Sequence, residues 1–192
     1  MKRALVLIMS LSGLLLYGAT ATATAATTHP AAASQGQNCV AQAEPAGSMV
    51  TPTATCYSSF SAAISAATGG RVHLPATMAP GSVTPHMIDS WNADPASTFV
   101  LSIDYKDADF SGDSMTWTRP SNCGNFQAAG MPSGWNDALS SLVTSTGCAN
   151  TLYQDANFGG MTVSISKNTA RSGLGSFNDL TTSQKWCTSK PC

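Results

Sequence analysis

Charge is scarce in this chain. Lys, Arg, Asp and Glu together make up 10% of it and the formal net charge is −1, against about 25% charged residues in an ordinary globular protein. There is no basic patch to meet nucleic acid and no acidic block to meet a cationic partner. Histidine is scarcer, with three residues in all, His29, His73 and His86. None stands near a serine or cysteine in the pattern of a nucleophile elbow or a protease signature, so a hydrolytic centre of that kind is not expected. The cysteines come without a CxxC pair or paired histidines, which excludes the common zinc arrangements. No apolar run reaches the roughly 20 residues a membrane span requires.

What is present begins with Lys2 and Arg3, an apolar run from Ala4 to Leu16, and small residues from Ala21 to Ala26. That order reads as a secretory signal peptide over residues 1–26, so the mature protein is expected outside the cell. Residues 27–38 are rich in Ala, Ser, Gln and Gly and are expected to be disordered. Six cysteines follow: Cys39, Cys56, Cys123, Cys148, Cys187 and Cys192. An even number in an exported chain implies disulfides, with fifteen pairings open in principle. Cys123–Cys148 is favoured; it would close a long loop and contribute about 3–4 kcal/mol by chain entropy. Cys39–Cys56 would be a local staple, leaving Cys187–Cys192, although a bridge between extension and tail stays open.

Between Cys39 and residue 97 the signals are local. Phe60, Ala63, Ile64 and Ala67 share one helical face, Ser58 or Ser59 can cap it, and Gly69-Gly70 stops it, predicting a short helix over about 58–68. Arg71–Leu74 reads as a short strand. Pro80, Gly81, Pro85 and Pro95 then punctuate a stretch without periodicity, expected to be a surface linker from about 76 to 97. The segment 27–97 is therefore read as a disulfide-stapled extension and linker.

The second half repeats itself. Tyr105-Lys-Asp-Ala-Asp-Phe110-Ser-Gly112 returns as Tyr153-Gln-Asp-Ala-Asn-Phe158-Gly-Gly160, and Trp135-Asn-Asp-Ala-Leu-Ser-Ser141 is answered by Phe177-Asn-Asp-Leu-Thr-Thr-Ser183. Two phrases recurring in order, at a spacing of roughly 20–50 residues, indicate a duplicated structural unit. Phe99, Leu101, Ile103 and Tyr105 alternate with Val100, Ser102 and Asp104, and Met161, Val163 and Ile165 with Thr162, Ser164 and Ser166, which predicts short strands with one apolar face. One unit has too few strands to bury that face, so two must pack together as an antiparallel sandwich.

These residues resemble the βγ-crystallin family. The shared pattern is Tyr-x4-Phe-x-Gly followed by Asn-Asp-x-x-Ser/Thr-Ser, complete in both copies at 136–141 and 178–183. The resemblance covers about 99–186; the first unit departs from it by a longer insert, Ser121 to Ser133. It implies a mainly β protein: a double Greek-key β-sandwich over 98–187, in motifs of about 98–147 and 148–187. A small N-terminal extension with one short helix precedes it and a tail at 188–192 follows.

The resemblance also implies two calcium ions between paired loops. Matched by motif position, the ligands are the carboxylates of Asp137 and Asp179 and the hydroxyls of Ser140 and Thr182. The carbonyls of Ala138, Leu180, Lys106 and Gln154 complete the set. Calcium takes six to eight oxygens, and one carboxylate per loop implies modest affinity. The simpler reading of the same residues is turn capping. Asp104, Asp107, Asp109 and Asp113 crowd the first hairpin, where paired carboxylates would suit glycoside hydrolysis; a solvated acidic turn is the favoured reading, and the protein is not expected to be an enzyme.

The expected function is thus a secreted, monomeric calcium-binding protein with a structural role or an extracellular protein or cell-wall target. It is not expected to bind nucleic acid, nor a membrane once the signal is cleaved. The alternative is a secreted protease inhibitor or a killer-toxin-like antimicrobial protein, since small secreted microbial proteins of both kinds resemble this fold. Ser121–Ser133 is the candidate inhibitory loop, against the reading of a tolerated insertion. A carbohydrate-binding reading rests on tryptophan platforms. Trp117, Trp135 and Trp186 read better as core, which leaves Trp91 as the residue to test.

Overall fold

The computed structural model describes residues 36–192. The signal-peptide assignment at 1–26, and the part of the leader up to residue 35, lie outside the described residues. In chain order the extension supplies β1 (Asn38–Gln42), β2 (Glu44–Pro45), β3 (Ala54–Tyr57), α1 (Phe60–Ala67) and α2 (Pro85–Asn92). The first repeat supplies β4 (Phe99–Asp107), β5 (Ser111–Arg119), β6 (Phe126–Ala128) and β7 (Ser141–Thr144). The second supplies β8 (Ala149–Tyr153), β9 (Thr162–Ile165), β10 (Ala170–Arg171) and β11 (Ser183–Cys187).

Two sheets result, a six-stranded one in the order β10-β7-β4-β5-β1-β3 and a five-stranded one in the order β2-β6-β11-β8-β9. The third strand of each repeat lies in the other repeat's sheet: β6 pairs with β11 and β10 with β7. That exchange is the Greek-key crossover, and it makes each sheet depend on both repeats. Trp117 of β5 and Trp186 of β11 meet between the sheets with ring centroids 4.9 Å apart, joined in one core by Leu101, Met115, Met131, Trp135 and Cys148.

The extension is built into this sandwich rather than appended to it. β1 lies parallel to β5 from Asn38 opposite Ser114 to Gln42 opposite Thr118, and β3 closes the sheet edge. Residues 36–38, expected to be disordered, belong to this ladder, since the Gln37 carbonyl accepts from Ser114 N–H. The helix predicted over 58–68 is α1, capped by Ser59 accepting from Ala62 N–H, with Phe60, Ala63, Ile64 and Ala67 buried.

The stretch expected to be a surface linker contains α2, with Ile88 and Trp91 buried. Pro85, read as a breaker, occupies the first turn, where its missing N–H costs nothing and Thr84 caps the helix. α1 and α2 together cover Val100, Ile103, Tyr105 and Val143 of the six-stranded sheet. Arg71–Leu74 is not a strand. Arg71 N–H donates to the Thr68 carbonyl, Val72 N–H to Thr68 Oγ1, and the Leu74 carbonyl accepts from Ser61 Oγ.

All six cysteines are paired, as Cys39–Cys56, Cys123–Cys148 and Cys187–Cys192. Among the described residues no helix is long and apolar enough to cross a membrane.

Candidate functional site

The two repeated phrases meet in space. In each repeat a hairpin folds over on itself through two consecutive residues in the left-handed region: Asp109 and Phe110 at φ 55° and 59°, Asn157 and Phe158 at φ 57° and 67°. A phenylalanine there is strained, and the same two contacts hold it each time. Its ring packs edge-on against the tyrosine that opens the phrase, at 5.7 Å for Tyr105–Phe110 and 5.5 Å for Tyr153–Phe158. Its N–H donates to the last serine of the second phrase, Ser141 or Ser183, at 3.0 Å. That serine in turn donates 2.6 Å to the carbonyl of Asp107 or Asp155. Gly112 and Gly160 follow at φ 75° and 71°, where a β-carbon would collide with the Asp107 or Asp155 carboxylate.

The Asn-Asp loops then cross from one repeat to the other. Asp137 N–H donates to the Thr181 carbonyl and Asp179 N–H to the Leu139 carbonyl, each at 3.1 Å. Thr182 Oγ1 donates to Asp137 Oδ1 at 2.9 Å, and Ser140 Oγ donates to Asp179 Oδ1 at 3.0 Å. The second carboxylate oxygen of each aspartate accepts from its own neighbour, Asn136 at 2.7 Å and Asn178 at 3.0 Å. Both aspartates sit at positive φ, 52° and 56°, and both are exposed.

Of the eight sequence-predicted ligands, the structure joins Asp137 to Thr182 and Asp179 to Ser140 directly. Ala138 and Leu180 lie inside the same crossed loops. Lys106 and Gln154 follow Tyr105 and Tyr153, whose carbonyls accept from Ser140 N–H at 3.0 Å and Thr182 N–H at 2.9 Å. The Lys106 side chain pairs with Asp113 at 2.9 Å and stands over the Trp135 ring.

The donor set suits a hard cation. Each cluster brings together a carboxylate and a hydroxyl with lone pairs of its own, both oxygen donors. No group of three or more His, Cys, Asp or Glu that could hold a metal occurs among the described residues, so each site carries little charge.

The aspartates of the first hairpin do not share one environment. Asp104, expected to be a solvated turn carboxylate, is fully buried between the sheets. Trp117 Nε1 donates to its Oδ2 at 2.7 Å, Gln184 Nε2 to the same oxygen at 3.0 Å, and Ser102 Oγ to its Oδ1 at 3.3 Å. Burial pushes this carboxyl up to about 6, and the hydrogen bonds from Gln184, Trp117 and Ser102 restrain the rise. Burial also raises the Tyr105 phenol, with the Asp104 charge adding to the effect.

The carbohydrate platforms are overturned. Trp91 is 6% exposed, packed with Ile88 and Phe60 under the helices, and the other three tryptophans are buried too. The insert Ser121–Ser133 is not a free loop either. It contains β6, and Gln127 to Pro132 are buried because β6 fills the Greek-key position beside β11.

A βγ-crystallin domain from Flavobacterium johnsoniae is 30% identical, over 98% of its own length and 48% of this chain, with a TM-score of 0.35. Through its repeat region, the chain belongs to the βγ-crystallin family. A βγ-crystallin domain from Clostridium beijerinckii is 25% identical over 99% of its length and 46% of this chain, at TM-score 0.35. An archaeal βγ-crystallin is 21% identical over 95% of its length and 45% of this chain, also at 0.35. The family model of peptidase inhibitor family I36 matches residues 105–165, from the first hairpin of the βγ-crystallin domain to the end of β9. No curated protein matches the chain.

Proposed function

We propose that this is a secreted, non-catalytic calcium-binding protein whose crossed Asn-Asp loops each take a cation. The supporting observation is the reciprocal pairing of Asp137 with Thr182 and of Asp179 with Ser140, which gathers oxygen donors from both repeats at two points. Asp137, Thr182, Ala138 and Gln154 would hold one ion, and Asp179, Ser140, Leu180 and Lys106 the other, the last two of each set through their carbonyls. A bound ion would neutralise the exposed carboxylate and tie the two repeats together, stabilising the native state by about 2.7 kcal/mol at a calcium concentration 100 times the Kd. The three disulfides fit an oxidising, extracellular setting. Calorimetric titration of the oxidised protein should show close to two calcium ions per chain, with melting raised by calcium and lowered by chelator. Asp137→Ala and Asp179→Ala should each remove one. Neither heat nor a shift in melting would reduce the loops to turn-formers.

A second reading is peptidase inhibition, favoured by the I36 match over 105–165. Incubation of the native protein with a panel of peptidases tests it; undiminished activity in every case counts against it.

A further inference from the structure

An inhibitor needs a surface that a peptidase can grip, and the Gln127–Pro132 part of the Ser121–Ser133 insert, being buried, does not provide one. Three large apolar side chains are strongly exposed among the described residues: Met49 at 60%, Val50 at 57% and Met161 at 57%. Met161 stands alone. Met49 and Val50 are adjacent, in the loop between β2 and β3.

That loop is held on both sides of the pair. It enters from β2, paired with β6, through a turn in which Ser48 N–H donates to the Pro45 carbonyl and Gly47 takes φ 90°. Gln127, buried in β6, donates through Nε2 to the Ser48 carbonyl at 2.5 Å, and Ala46 N–H donates to the Asn125 carbonyl. On the far side Thr51 seats its hydroxyl against Gly130, where a β-carbon would stand 2.5 Å from Oγ1. Pro52 is buried, and β3 is tied to β1 by Cys39–Cys56. Only Met49 and Val50 lie between these anchors.

We propose that Ala46–Thr53 is a peptidase-docking loop, presenting Met49 and Val50 to adjacent apolar subsites of a peptidase cleft; this rests on the inhibitor reading. Two neighbouring apolar side chains kept in water serve no packing purpose in the fold. The segment Pro45–Thr53 carries no charge, so entering a cleft strands none. Anchoring on both sides means little chain entropy is lost on docking, which is how preorganisation strengthens binding. The residues that cradle the loop, Asn125, Gln127 and Gly130, fall inside the span matched by the inhibitor family.

The test measures inhibition by the full oxidised protein of three peptidases that cut beside apolar residues: a thermolysin-like metallopeptidase, a subtilisin-like and a chymotrypsin-like serine peptidase. The native protein should inhibit at least one. Met49→Ser with Val50→Ser should weaken that inhibition about 100-fold, the scale of losing two central anchors, with melting and calcium titration unchanged. Gln127→Ala, which frees Ser48, should weaken inhibition and let the peptidase nick the loop, seen by mass spectrometry as a cut between residues 48 and 51. If the native protein inhibits and the double variant inhibits equally well, the docking loop is wrong and the inhibitor reading stands. If the native protein inhibits none of the three, reading and loop fall together.

Discussion

Asp104 shows how far one residue's surroundings can depart from its sequence neighbourhood. Its carboxyl is held at about 6 by burial, above the ordinary 3.8. Between those values the folded chain keeps a proton that the unfolded chain has lost. Stability should therefore fall as pH rises from about 4 to about 6, by about 3 kcal/mol, and stay at that lower level above pH 6. Asp104→Asn keeps an oxygen for Trp117 and Gln184 and an amide facing Ser102. Its melting temperature should be flat across that window and at least equal to the native one at pH 7. Asp104→Leu should cost about 1–3 kcal/mol for each donor left unpaired. A native protein whose melting does not fall between pH 4 and 6, beside an Asp104→Asn variant that tracks it, would dispose of this assignment.

At the scale of the element, each hairpin is a strained turn fastened by one hydroxyl. Ser183 satisfies Phe158 N–H and the Asp155 carbonyl at once. Ser183→Ala should destabilise the protein by about 1–3 kcal/mol, the usual cost of stranded polar groups. Because the same hairpin positions Gln154 beside Thr182, it should also weaken the proposed calcium binding at the Asp137 loop more than at the Asp179 loop. Denaturant melts and titration read both; equal weakening of the two sites would show that the clamp does not position the loop. The doubled phrases made this arrangement legible in sequence, since hairpin and loop chemistry are set by residues a few positions apart. Helix α2 was not legible, because a proline favours a helix start or a break according to what precedes it and what the next turn can bury.

Across the molecule, the domain and its extension are one packed body. The helices shield the outer face of one sheet, and β1 covers the edge of β5. Cys123–Cys148 links the long insert to the start of β8 across a sequence separation of 25. Replacing both cysteines by serine should lower unfolding free energy by about 3–4 kcal/mol with the Asn-Asp loops intact. A loss of calcium binding in that variant would mean the bridge shapes the site as well as limiting the unfolded chain.

The sequence alone determined what depends on short-range chemistry and on repetition: the duplicated hairpins, the Asn-Asp loops, α1 with its serine cap and glycine stop, and the favoured Cys123–Cys148 bridge. Tertiary structure alone decided what depends on partners far along the chain. Asp104 is buried because Gln184, 80 positions away, and Trp117 close over it. Trp91 became core, and Met49 with Val50 became surface, because residues distant in sequence cover one and leave the others uncovered. Burial belongs to the assembled sheets, and a local pattern can state only which face is apolar.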